Sequence, residues 1–450
     1  MKRIIILIYL VLVIVQCNGQ KQNEIKGRNE QVVKHLSDDE LMTLVQKQTF
    51  GYFWDGAEPV SGMAPERIVL DGDYDVNIVT SGGSGFGLMT ILVGIERGFV
   101  TREEGLTRLE KIVGWLEKAD RFHGAYSHWL FGSSGKVRPF SSNDDGGDIV
   151  ETSFLFQGLL SVRQYYKDGT TREKQLAEKI DKLWKEVEWN FYRGENIENV
   201  LIWHWSPNFK WKMNHHIQGY NECLITYILA ACSPTYPIPP EVYHEGWARN
   251  GEIVGGPTKY GYTLALKHNG SPEYGGPLFW AHYSYMGLDP RGLEDKYANY
   301  WQHNQNHVLI DYNYCVENPK KYLGYGPDCW GLTASYSIRG YSAHKPENDV
   351  GVITPTAALS SMPYTPKESL AAMRYFYEEQ NSKLWGKYGF YDAFSLQASW
   401  APPKYLAIDQ GTIVPMIENY RTGLLWNLFM SCPEVKEGLK KLGFRSQWLK

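Results

Sequence analysis

Three acidic segments stand where an apolar run begins, and that placement can serve acid–base chemistry. Asn143-Asp144-Asp145-Gly146-Gly147-Asp148-Ile149-Val150-Glu151 leads into the first run. Asp148 and Glu151 are three apart, so on a helix they share a face, and Asp144 extends that row if the preceding turn is helical. Gly219-Tyr220-Asn221-Glu222 opens the second run, with Cys223 and Leu224 next and no basic residue close in sequence. Ile408-Asp409-Gln410-Gly411 opens the third. Helix capping explains one acid at such a start, but not a row of them. Carboxyls gathered in a cleft suit glycoside hydrolysis, where one acid donates a proton to the leaving oxygen and an ionised one activates water or attacks the sugar. A helix N-terminus favours the ionised form, so the proton donor needs an opposing push from burial or a neighbouring carboxylate. Glu222, in the most apolar context, is therefore the candidate general acid and Asp409 the candidate general base. Asp144, Asp148 and Glu151 are supporting acids that bind substrate hydroxyls or tune the pair.

Aromatic residues make up 14% of the 450 residues, with 16 Trp, 31 Tyr and 17 Phe. Some fall at helical spacing and read as core. Others cluster with glycine in long segments such as 123–147, 203–219, 273–285 and 324–343, which are too aromatic for disorder. Flat rings with a polar tip suit sugar faces. Trp203, Trp205, Trp330 and Tyr420 are the candidate platforms or pocket walls, with core packing the competing role for each. The 46 basic and 50 acidic side chains leave a formal charge of −4, which argues against a nucleic-acid partner.

No cofactor or metal is expected. Asp71–Asn77 alternates oxygen ligands like a calcium loop but lacks the glycine and the closing acid of an EF-hand. His303 and His307 are four apart on a helix without an obvious third ligand. Gly82-Gly83-Ser84-Gly85-Phe86-Gly87 matches no phosphate loop or nucleophile elbow, so its glycines are expected to permit close approach to helices or ligand. Beyond Cys17 there are five cysteines and no C-x-x-C pair. Cys315 with Cys329 is the one candidate bridge, and buried free thiols are the simpler reading.

The elements that must position these residues are helical. Ser37-Asp38-Asp39-Glu40 and Thr101-Arg102-Glu103-Glu104 are capping boxes, and Leu106, Leu109, Ile112, Val113 and Leu116 follow at one-faced spacing. Further helices are expected over 86–96, 148–166, 171–191, 222–232, 293–310, 365 onwards, 412–430 and 433–442. Helices apolar all round alternate with one-faced helices, as in two concentric layers. The expected fold is all-α, an (α/α)6 toroid with long loops and minor β-hairpins.

Lys2, Arg3 and the apolar run Ile4–Val15 form a signal peptide, too short to span a membrane. Ile14-Val15-Gln16-Cys17 resembles a bacterial lipobox, from which Gln16 departs. The expected organisation is a signal peptide of lipoprotein type over 1–17, a polar tether over 18–36 and one catalytic domain over 37–450. The chain is expected to be exported, periplasmic or anchored to the outer membrane through Cys17.

Gln48–Trp54, Ser81–Gly87, Asp144–Glu151, Trp203–Pro207, Asn221–Cys223, Asp328–Ala334, Ala407–Gly411 and Glu418–Arg421, taken in order, resemble the bacterial glycoamylase-like family, which includes β-1,2-glucanase glycoside hydrolases. The resemblance covers about residues 40–445. It implies the (α/α)6 fold, hydrolysis of β-1,2-glucans or their oligosaccharides with inversion, and cleft acids at Asp144, Asp148, Glu151, Glu222 and Asp409. Other readings use the same parts: a glucoamylase-like hydrolase of another linkage, a non-catalytic glycan-binding lipoprotein, or a polysaccharide lyase with a base among His215, His216 and Tyr220.

Overall fold

The structure is a computed structural model and describes residues 35–450. The expected signal peptide, Cys17 and nearly all of the tether lie outside the described residues. Residues 38–450 form one compact unit.

Four helices are buried on nearly every face: α2 (Ser81–Glu96), α4 (Ile149–Tyr166), α6 (Leu224–Cys232) and α11 (Ala407–Arg421). They pack side by side in the order α11, α2, α4, α6. Each lacks a broad solvent face because other helices cover it. Against α2 and α11 lies α1 (Asp38–Trp54), while α3 (Arg102–Leu116) packs on α2 and α5 (Thr171–Lys185) on α4. The last helix, α13 (Pro433–Lys441), packs on α6. Between α6 and α13 the chain also forms α7 (Tyr300–Glu317), α8 (Pro355–Leu359), α9 (Pro366–Glu378), α10 (Asn381–Leu384) and α12 (Leu424–Met430). Helices α3 and α5 are one-faced, burying Leu106, Leu109, Ile112, Val113 and Leu116, and Leu176, Ala177, Ile180, Leu183 and Trp184. Burying such a side chain fully contributes about 1.5–3 kcal/mol, which is what the stripe supplies. Capping boxes at Thr101 and Thr170 start both.

The helix expected over 86–96 begins earlier, at Ser81, and takes in the glycine run. Residues 81–87 are the first turns of α2. The absent side chains let α2 and α4 touch at backbone distance: a Cβ on Gly85 would lie 2.3 Å from the Phe154 carbonyl oxygen, and one on Gly158 would lie 2.1 Å from that of Gly85. Close packing outweighs the low helix propensity of glycine, which costs about 1 kcal/mol per residue. The segment expected as one helix over 412–430 is two, because Gly423 takes φ 72 and ends α11. Asp409 thus lies in the first turn of α11 rather than ahead of it. The helix expected over 293–310 begins later, at the Asn299 cap.

Strands are short and antiparallel, and they serve mainly to place side chains. Gly147–Asp148 pairs with His204–Trp205, setting Asp148 opposite His204. Ile78–Thr80 pairs with Trp129–Phe131, which brings His128 to the start of α2. Arg67–Val69 pairs with Lys404–Leu406 just before α11. A hairpin of Ala334–Ser337 and Gly340–Ala343 carries Tyr336 and Tyr341. All five cysteines in the described residues are buried and free, so Cys315 and Cys329 form no bridge.

Candidate active site

Asp148 caps α4. Its Oδ1 accepts the N–H groups of Val150 and Glu151 at 3.0 and 2.9 Å. Its Oδ2 accepts the Trp203 indole N–H at 3.1 Å and meets His128 Nδ1 at 3.2 Å. Burial pushes this carboxyl up, but the hydrogen bond from His128 and the charges around it outweigh burial and hold it below its usual range. Every lone-pair direction of Asp148 is thus engaged, which fixes it as an ionised support. His128 answers in kind: burial lowers it, Glu151 and Asp148 raise it further, and it reaches about 9.

Glu151 stands one turn along. Its Oε2 accepts the Gly82 N–H at 2.9 Å, and a Cβ on Gly82 would meet that oxygen at 2.3 Å, so the glycine is needed for this contact. Burial raises Glu151 despite the attraction of His128. Asp144, buried, lies 3.4 Å from His204 Nε2 and is likewise raised, first by burial and then by Asp148. His204 is driven down to about 4 by burial, so it stays neutral. The sequence-predicted row is therefore brought together, with two histidines interleaved. His128, Asp144 and Asp148 each offer a ligand atom within 4.8 Å of the others, a geometry compatible with a metal ion. The Oδ2 of Asp148 is already committed to Trp203 and His128, whereas the buried Oδ2 of Asp144 accepts no hydrogen bond among the described residues.

A cavity of about 370 Å3 opens beside this row. Glu151, Glu222, His128 and Trp203 line it, together with Tyr283, Tyr336 and Tyr341. Glu222 sits in the turn before α6, with its backbone carbonyl held by the Ser284 hydroxyl. Its side chain keeps one side open to the cavity, and protein encloses the rest. Burial raises its carboxyl to about 7, helped by the negative charges of Glu151 and Asp148. A carboxyl that carries a proton near neutrality can donate it. The opposite character belongs to Asp148, and the contrast arises from donors: Asp148 has several and Glu222 few.

Asp409 is 3% exposed and stands behind the wall rather than on it, with Ile408 and Tyr283 facing the cavity. Burial raises it well above the usual range, and Asp392 raises it further, while the Tyr283 hydroxyl acts the other way. Of the predicted platforms, only Trp203 lines the cavity. Trp205 is half-buried and packs edge-on to His123 and Phe191, with the Lys210 ammonium 5.0 Å above its ring. Trp330 is fully buried and donates to the Glu368 carbonyl at 3.2 Å, so it is a core residue and not a platform. Tyr420, 41% exposed near the far end of α11, does not line the cavity. His303 belongs to a buried pair with His268, at 2.8 Å between Nε2 atoms, and His307 donates to the Gly276 carbonyl.

The sequence reading passed over His128, His204, Arg67, Tyr283, Tyr336, Tyr341 and Asp392. Strand pairing and 3-10 turns deliver them from distant segments, so no local spacing marks them. The one signal was their place in long aromatic loops.

Comparison with known proteins places this geometry. The Glycoamylase family model, described as "Putative glucoamylase", matches residues 214–433. A solved endo-β-1,2-glucanase from Chitinophaga pinensis, in complex with sophorotriose and glucose, is 64% identical over 92% of this chain and all of that one, with a TM-score of 0.91. The chain belongs to the glycoamylase-like family. An exo β-1,2-glucooligosaccharide sophorohydrolase from Parabacteroides distasonis is 48% identical over 427 residues, 90% of this chain. The chain spans 58% of the length of that curated relative. A solved β-1,2-glucanase from the same organism is 47% identical, covers 91% of this chain and 60% of its own, and has a TM-score of 0.86. An endo-β-1,2-glucanase from Talaromyces funiculosus, at 11% identity and a TM-score of 0.64, shares the fold. In this glycoamylase-like chain the mostly helical scaffold, the acid row and the aromatic cavity therefore occur together.

Proposed function

We propose that the protein is a glycoside hydrolase that cleaves β-1,2-linked glucans or their oligosaccharides with inversion, on an (α/α)6 toroid. The observation that carries the reading is Glu222, a cavity-wall carboxyl whose proton is retained to about pH 7. Glu222 is the general acid. It protonates the glycosidic oxygen as the bond to the anomeric carbon breaks. Asp409 is the general base. It reaches the attacking water through the Tyr283 hydroxyl, which stands between it and the cavity. Asp148, held ionised, keeps negative charge near Glu222 and so helps to hold its proton. Trp203 supplies a flat face for a sugar ring and orients Asp148 with its N–H. The β-1,2 linkage rests on the enzymes that the chain resembles. The layering of buried and one-faced helices supports the toroid.

The same proposal places the enzyme outside the cytoplasm with a lipid on Cys17, on the strength of Lys2, Arg3 and the apolar run that follows. No helix among the described residues is long and apolar enough to cross a membrane. Incubation with β-1,2-, β-1,3- and α-1,4-glucans tests the activity. Reducing sugar released from the β-1,2 substrate is the expected result. Release from α-1,4-glucan alone would move the enzyme to another linkage, and binding without release from any of them would make it a glycan-binding protein.

A further inference from the structure

Behind the cavity wall, Asp392 meets Asp409, and no role in the acid row accounts for it. Both are buried, at 4% and 3% exposure. The main chain fixes Asp392 in place: its N–H donates to the Lys404 carbonyl at 2.8 Å, and its Oδ2 accepts the Tyr336 N–H at 2.9 Å. Its Oδ1 and both oxygens of Asp409 lack a well-aligned donor among the described residues. The Tyr283 hydroxyl is the one donor that approaches Asp409 among the described residues, so two ionised carboxylates in that position would leave buried acceptors unmatched, an arrangement that folded proteins avoid. A single proton removes the difficulty, because a protonated carboxyl becomes a donor to its neighbour.

We propose that Asp392 and Asp409 hold one proton between them, and that Asp392 is the positioning residue that sets the basicity of Asp409. The inference rests on the reading of Asp409 as general base. Like charges side by side do not both ionise readily, so the pair releases its protons in two steps. The surroundings agree. Burial raises both groups, Asp392 to about 6 and Asp409 further. Glu66 adds negative charge and Lys404 positive charge from the strand pair before α11, while Tyr336 and Tyr341 face the pair from the hairpin and Tyr283 from the cavity side. Once the shared proton has left to solvent, Asp409 takes the Tyr283 hydroxyl proton while Tyr283 takes one from the attacking water. The water oxygen bonds to the anomeric carbon, the bond from that carbon to the glycosidic oxygen breaks, and that oxygen receives the proton of Glu222. The pair then again holds one proton, and Glu222 regains its own from solvent.

The pH profile of kcat/KM on a β-1,2-gluco-oligosaccharide tests the pair, using the full enzyme and its Asp392→Asn and Asp392→Glu variants. Asparagine keeps the shape and removes the charge, so the acid limb should move to lower pH by about one unit and the maximum should fall about tenfold, since a weaker base is left. Glutamate should bring the limb back toward the wild-type position. A folded Asp392→Asn enzyme whose limb stays put or moves upward would overturn the proposal. Should that variant not fold, infrared spectroscopy of wild type against Asp409→Asn at pH 6 decides. The wild type should show one neutral-carboxyl band that the variant lacks, and its absence would end the shared-proton account. An Asp409→Asn enzyme with near-native turnover would instead remove the general-base reading, whatever the band shows.

Discussion

The chemistry of Glu222 depends on how little surrounds its carboxyl. Asp148 gathers two backbone N–H groups, an indole N–H and a histidine, whereas Glu222 gains burial and negative neighbours. Replacing Glu222 by Gln removes the transferable proton and keeps the volume. Turnover of β-1,2-gluco-oligosaccharides should fall by about 10²–10⁴-fold, with an unchanged circular dichroism spectrum. A folded variant with native turnover would place the acid elsewhere. The free-enzyme alkaline limb of kcat/KM should lie near pH 7, where Glu222 loses its proton. Asp148→Asn tests the cause of that position. Asparagine retains an oxygen for the Val150 and Glu151 N–H groups, so the cap survives. The negative charge goes, and a carboxyl freed of a like-charged neighbour ionises more easily. The limb should therefore shift about one unit downward. A limb that stayed near 7 would leave burial and Glu151 as the causes.

At the scale of elements, the crossing of α2 and α4 holds the acid row in place. Gly85 and Gly158 face each other with room for neither Cβ, and Gly82 makes way for Glu151 about one turn of α2 from that crossing. Gly85→Ala or Gly158→Ala forces backbone against backbone, which no rotamer can relieve. Either should destabilise the protein by about 3 kcal/mol, at the upper end of the usual overpacking cost, seen as a lower thermal midpoint. Gly114→Ala in α3 is the control: nothing lies within 4 Å of its added Cβ, so its midpoint should hold or rise. Equal midpoints for all three would mean that the two helices can part without loss. This crossing also marks the limit of what the sequence reveals. One-faced helices such as α3 and α5 are legible from spacing and capping boxes, because their own solvent boundary is written into them. A helix buried on all sides has no such boundary. Serine and glycine at 81–87 carry the composition of a loop, and the neighbouring α1, α4 and α11 that close on them make them helical.

Across the whole molecule, the two ends of the described chain are tied by one ionic network. Glu418 on α11 accepts Arg97 Nε and Nη2 at 2.7 and 2.9 Å and Gln46 of α1 at 3.1 Å. Arg421 of the same helix reaches Gln46, Thr43 and Asp39 of α1. The acid row was legible because its members share a short stretch, whereas this network joins positions more than 300 apart and leaves no local trace. Burial opposes the ionised form of Glu418, but the hydrogen bonds from Arg97, Thr422 and Gln46 prevail and lower its pKa below the usual range. The sign follows. An acid with a depressed folded-state pKa adds stability above its unfolded value of about 4.3, and that stability is lost as pH falls through the lower folded value. Glu418→Gln should therefore cost roughly 3 kcal/mol at pH 7, since it leaves the partly buried Arg97 without its counter-charge. The gap in melting temperature between wild type and variant should narrow as pH is lowered from 5 toward 3. Other buried acids and histidines titrate in that window, but they do so in both proteins and cancel in the difference. A gap that stayed constant with pH would show that shape, rather than charge, makes Glu418 join α11 to α1.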